Sequence, residues 1–181
     1  MATLGRLSTG ASSQNIGDSF RVTEIGTMTE DGTLDSVHFS IAYNDGFNGG
    51  PRFHLYKGSI GALTLVADVG QIGSSTGIVS AAAASESLTN GDTLFASFKH
   101  DRTFGIGYNY DLGVSGDSYT FADVDADHDP TVAPPSSITA SGTASTAQPA
   151  AAYITYTSTA SGGTKQLVGG LGLFGREGLL G

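Results

Sequence analysis

From about Ile16 to Ala122, apolar side chains recur at every second position in short runs. Val37, Phe39, Ile41 and Tyr43 form one run, and Leu63, Leu65, Ala67 and Val69 another. Leu94, Ala96 and Phe98 follow, then Phe104, Ile106, Tyr108 and Tyr110. A period of two sends alternate side chains to opposite faces, so each run predicts an antiparallel strand with one face buried and one wet. Between the runs stand Glu30-Asp31-Gly32, Asn44-Asp45-Gly46, Asn48-Gly49-Gly50-Pro51 and Asn90-Gly91-Asp92. Asn-Gly and Asp-Gly tolerate the positive φ of tight turns. Seven or eight strands at this spacing predict an all-β, antiparallel two-sheet sandwich or a barrel. The expected core is Val37, Phe39, Ile41, Phe53, Leu55, Leu65, Leu94, Phe98 and Ile106. Val79 to Leu88 contains four consecutive Ala and suits either a short helix or a strand; the alternating surroundings favour a strand.

The pattern divides the chain into three parts: a body over residues 1–128, a linker over 129–150 and a terminal part over 151–181. The linker holds Pro130, Pro134, Pro135 and Pro149 amid Ser, Thr and Ala, with Ile138 as its one large apolar residue. Such a composition predicts an extended segment, because it buries too little surface to fold alone. Beyond it, Ala152, Ile154 and Tyr156 alternate with Tyr153, Thr155 and Thr157, which predicts one more strand. The closing stretch carries Leu167, Leu171, Leu173, Phe174, Leu179 and Leu180 among glycines that oppose a free helix. It is expected to be a C-terminal arm that docks on a partner.

Composition narrows the function classes. Only 14% of the 181 residues are charged, and eight Lys plus Arg face seventeen Asp plus Glu, for a net charge of −9. That balance disfavours nucleic acid as a partner, since phosphate binding needs clustered positive charge. Cysteine is absent, which removes disulfide scaffolds, thiolate metal sites and Cys nucleophiles together. No run of 18 to 20 apolar residues predicts a membrane helix, so no membrane partner is expected. The lack of a signal-peptide core fits a product assembled in a host cytoplasm.

Candidate chemistry is sparse. Asp123, Asp125, Asp127 and Asp129 alternate, as carboxylates around a hard cation can. The helix–loop–helix calcium pattern fails because His128 and Pro134 occupy its Gly and Glu positions. A solvated loop is the expected reading, with no metal and no cofactor; Asp125 and Asp127 are the candidate ligands otherwise. His38 and His54 fall in neighbouring predicted strands and could pair across a hairpin, although too few ligands accompany them for a metal. His100-Asp101-Arg102 is expected to close a loop by hydrogen bonds. Gly113-Val-Ser115-Gly116-Asp117 lacks the final Gly of a nucleophile elbow, and no phosphate-binding loop is present. No catalytic residue emerges, and a non-enzymatic role is expected. Tyr108 and Tyr110, near loops, are the candidate glycan contacts.

The runs Ile16-Gly-Asp-Ser-Phe-Arg-Val-Thr23, Glu30-Asp-Gly-Thr-Leu-Asp-Ser-Val-His-Phe39, Gly50-Pro-Arg-Phe-His-Leu-Tyr56 and Ser87-Leu-Thr-Asn-Gly-Asp-Thr-Leu-Phe-Ala96 resemble the strands of a jelly-roll sandwich family. Such domains occur in bacteriophage virion proteins, among them head decoration (cement) proteins and fibres. The resemblance covers roughly residues 16 to 122, rests on turns and alternation, and carries no catalytic residues. It implies a virion structural protein, a capsid decoration protein that stabilises capsomer junctions. Its expected partners are the major capsid protein and copies of itself, as a homotrimer. The alternative it leaves open is a receptor-binding fibre or carbohydrate-binding module.

Overall fold

The structure, a computed structural model, describes residues 1–5, 9–15, 18–44, 46–83, 85–101, 108–113, 121–124, 129–139 and 151–159. At 9–15, 18–21, 43–44, 47, 100–101, 108–113 and 121–124 it describes the backbone alone. Thirteen strands account for most of these residues: β1 Ala2–Gly5, β2 Thr9–Asn15, β3 Asp18–Thr27, β4 Gly32–Asn44, β5 Arg52–Ser59, β6 Ala62–Gln71, β7 Gly77–Ala82, β8 Ser87–Leu88, β9 Thr93–Asp101, β10 Tyr108–Gly113, β11 Phe121–Val124, β12 Ser137–Ile138 and β13 Ala152–Ser158. A three-residue 3₁₀ turn, Phe47–Gly49, is the only helix among the described residues. The protein is therefore all-β. The ambiguous Val79–Leu88 stretch is strand at both ends, in β7 and β8.

The strands form two antiparallel sheets. One runs β1-β13-β4-β10-β2, with β7 and β8 also on β4; the other runs β11-β3-β9-β5-β6-β12. The long strand β4 organises the first sheet. Its residues 36–39 pair with β13 and with β7 at once, so those two lie on opposite edges. Ile41 pairs with Gly77 of β7 and with Tyr110, which puts β10 end to end with β13 along the other edge.

Between the sheets lies the main core. Val37, Phe39, Ile41, Ala152, Ile154 and Tyr156 point in from the first sheet, and Phe53, Leu55, Leu94, Ala96 and Phe98 from the second. The Phe39 ring meets Phe53 at 4.2 Å and Phe98 edge-on at 5.3 Å, joining the layers at their centre. Aromatic contacts of this kind contribute about 0.5–1.5 kcal/mol each beyond area burial. Seven of the nine expected core residues are here; Ile106 lies outside the described residues.

Leu65 departs from expectation. The β5–β6 register slips twice, so that Val66 and Val69 are extra residues on β6. Each bulge shifts the side-chain alternation by one position. Leu63 and Leu65 therefore face out of the sandwich while Ala67 faces in, although all three sit at a period of two.

The outer face of the second sheet is not wet as the alternation predicts. In β9, Leu94 through Lys99 are buried without interruption. Residues 129–139, the first half of the segment expected to be a linker, lie across that face as an extended strap. Ile138 inserts among Val22, Tyr56, Leu63 and Phe95, and β12 pairs Ser137 and Ile138 with Thr64 and Leu63. Residues 140–150 lie outside the described residues.

The path from β4 to β5 carries the chain from one sheet to the other. Gly50 closes it with φ +77°, its backbone so near the Gly73 carbonyl that a side chain would collide. This crossover separates His38 and His54, on β4 and β5, so the pairing across a hairpin does not occur.

Candidate functional site

The outer face of the second sheet collects the polar side chains best equipped for chemistry. Arg52, His54 and Tyr56 alternate on β5, Ser97 and Lys99 stand opposite on β9, and Asp68 on β6. His54, Tyr56, Ser97 and Lys99 have no solvent exposure. His54 Nδ1 shares a 2.9 Å hydrogen bond with Ser97 Oγ. Arg52 forms a two-pronged ion pair with Asp68, Nε to Oδ1 at 2.8 Å and Nη2 to Oδ2 at 2.6 Å.

The strap closes this layer from outside. Arg52 Nη1 donates to the Pro130 carbonyl at 3.3 Å, and Tyr56 Oη donates to the Pro135 carbonyl at 2.8 Å. Leu65 N donates to the Ser136 carbonyl at 2.9 Å. Asp129 turns the strap's start, accepting from Thr131 N and Thr131 Oγ1 at 2.8 and 2.7 Å. His54 lies on β5 between the two anchoring side chains, Arg52 and Tyr56, which hold the chain at Pro130 and Pro135.

Burial sets the charge states. It pushes the His54 imidazole down to about 3; Asp68 opposes this, while Lys99 and Arg52 reinforce it. Burial works to raise the Asp68 carboxyl too, but the hydrogen bonds and charge of Arg52 more than reverse that. The hydrogen bonds from Thr131 hold Asp129 low, and Lys99 adds to the effect. Burial raises the Tyr56 phenol, so it stays a donor.

A hydroxyl 2.9 Å from an imidazole is the spacing of a nucleophile and its general base. Here the chemistry is blocked twice. The pair is sealed beneath the strap, and an imidazole held near 3 is a poor proton acceptor at neutral pH. What the pair does is tie β5 to β9 through a hydrogen bond between two buried side chains.

The first sheet's outer face is a contrast in small side chains. Ser36, His38 and Ser40 of β4, Tyr153 and Thr155 of β13, and Ile78, Ser80 and Ala82 of β7 occupy it. His38 and Tyr153 stack at 4.2 Å with their planes 4° apart. Ser36 Oγ bonds His38 Nε2 at 2.7 Å and Thr155 Oγ1 at 2.6 Å. Partial burial lowers the His38 pKa, which favours its neutral form. Ile78 is 60% exposed.

Of the residues singled out in the sequence, Tyr108 and Tyr110 fall on β10, paired with Asn44 and Ile41 of β4; their side chains are outside what is described. Asp125, Asp127, His128, Arg102 and Ser115 lie outside the described residues, as do Leu167, Leu171, Leu173, Phe174, Leu179 and Leu180. His100 and Asp101 are described in backbone only, at the end of β9. Among the described residues no three His, Asp or Glu side chains gather as a metal site, and no helix is long and apolar enough to cross a membrane. The buried layer escaped the sequence reading. Its one signal was Ile138, a lone large apolar residue in a Pro-rich stretch.

No protein-family model, curated protein or solved structure matches this chain.

Proposed function

We propose that this chain is a non-enzymatic virion protein, a decoration (cement) protein that binds the outside of a phage head. Assembled in the host cytoplasm, it would join the major capsid protein and copies of itself as a homotrimer, needing no cofactor. One observation carries the reading: β13 is hydrogen-bonded along both edges, to β1 and to β4. The apolar residues Leu167 to Leu180 thus follow a rigid anchor at Ser158, whose neighbour Thr159 is itself bonded to the Asp31 carbonyl at 2.9 Å. A sticky arm on a fixed base suits docking across neighbouring subunits, where many weak contacts over a shell sum to firm attachment.

The strand order supports a jelly-roll reading of the sandwich and, with it, the same function. Taking β1, β3, β4, β5, β6, β7, β9 and β13 as strands one to eight, the sheets read 1-8-3-6 and 2-7-4-5. This is the order of two interlocked Greek keys, an architecture used by viral capsid and lectin domains. Fold alone does not fix function. The second reading, a fibre tip or carbohydrate-binding module, is favoured by the His38–Tyr153 stack on a hydroxyl-rich open face.

Electron microscopy of virus particles labelled with an antibody to this chain tests the proposal. Label on heads is expected. Label on fibres supports the second reading, and unlabelled particles overturn both.

A further inference from the structure

We infer that residues 129–139 form an acid-released latch over the second sheet, with His54 as its trigger. The geometry places His54 between the strap's anchors Arg52 and Tyr56, and His54, Tyr56, Ser97 and Lys99 have no solvent exposure. The strap's described hold includes a two-residue bridge to β6, hydrogen bonds at three carbonyls and the buried Pro130, Pro134 and Ile138 side chains. Opening it admits water to His54, and a wetted imidazole regains its ordinary affinity for protons. Protonation then opposes closing, because the new charge would have to be buried again, beside Lys99 of β9 and Arg52 of β5.

The charged and titratable groups facing His54 from each described element are few. They are Arg52 and Tyr56 on its own strand, Lys99 on β9 and Asp68 on β6, while Asp129 of the strap acts on Lys99. Asp68 and Asp129 are both held below the usual carboxylate range, so they keep their charge at pH 5. Arg52 stays cationic, and Tyr56 stays neutral. Between pH 7 and pH 5, His54 changes its protonation on opening. With 6.5 in water and about 3 when covered, the open-to-closed ratio rises roughly twenty-fold over that interval. Release would bare an apolar groove of Val22, Tyr56, Leu63 and Phe95 and free the strap's own Ile138.

Hydrogen exchange read by mass spectrometry tests this on the full chain at pH 7 and pH 5, corrected for intrinsic rates. The expected result is a ten- to thirty-fold loss of protection in 129–139 and at Leu65, with β4 and β13 unchanged. In His54→Asn, which keeps a polar atom near Ser97 but does not titrate, the strap's protection should be the same at both pH values. Loss of protection in the strap and β4 together, or the same strap loss in His54→Asn, overturns the latch. Should His54→Asn fail to fold, nuclear magnetic resonance of the unmodified protein decides. Charging of the His54 ring in step with strap opening supports the latch; strap opening with the ring still neutral overturns it.

Discussion

The two outer faces of this sandwich begin from the same alternation and end differently. On the second sheet, β5 and β9 send Arg52, His54, Tyr56, Ser97 and Lys99 outward, and a strap covers them. On the first, β4, β7 and β13 send out Ser36, His38, Ser80, Tyr153 and Thr155, and Ser80 stays exposed while His38 and Tyr153 are half-buried. The difference teaches that a polar residue's role depends on what is laid over it. His38 and His54 are each one side chain on a strand, yet the first keeps part of its surface in water. The second is locked neutral by burial.

Substitutions at matched positions should break the symmetry most visibly. Tyr56→Ala removes a fully buried ring together with a strap anchor and should cost about 3–5 kcal/mol in urea unfolding. Tyr153→Ala, on the open face, should cost about 1 kcal/mol. Equal losses would show that the two faces are equally covered.

Acid should act on the covered face next. The folded pKa of His54 lies near 3 against 6.5 in water, so the unfolded chain binds the extra proton between those values. Stability is then complete above about pH 6.5 and falls as pH drops toward 3, by up to about 1.4 kcal/mol per pH unit. By pH 4 the loss should reach roughly 3 kcal/mol. His54→Asn should remove most of the slope in denaturant titrations between pH 7 and 5, whereas His38→Asn should change it far less, its pKa being lowered by partial burial only.

Ile138→Ala separates a docked strap from a passing linker. A buried side chain in the cluster with Tyr56 and Phe95 should cost about 2–3 kcal/mol. A loss below about 0.5 kcal/mol, as for surface positions, would mean that the strap holds nothing. The smallest effect belongs to the proposed arm: deleting residues 165–181 should cost the sandwich less than about 1 kcal/mol while weakening trimer formation or particle binding. A truncated chain that loses several kcal/mol as a monomer would make the arm part of the fold.

Much of the body was legible because period-two alternation reports burial directly. Val37, Phe39 and Ile41 faced the core where the pattern put them, and so did Leu94, Ala96 and Phe98. What escaped was the effect of a single inserted residue. Val66 reverses the sense of β6, and alternation carries no mark for such a bulge. The covered face escaped for another reason. Lys99, read from its own strand, belongs on a wet surface; it is buried by a segment thirty residues later whose Pro and Ser content argues for solvent. Long-range contacts such as the pairing of Ile138 with Leu63 join them, and local pattern holds no information about those contacts.

The placement of β13 has a mechanical consequence. Tension applied through Thr159 would run along the axis of a strand bonded to four residues of β1 and seven of β4. Those bonds lie across the pulling direction, so they resist in parallel and must yield together, as in shear, rather than one after another as at an unzipping edge. A pull through Thr159 would therefore load β13 along its length. Its lifetime under force would be set by how fast β13 slides, not by the equilibrium stability of the whole.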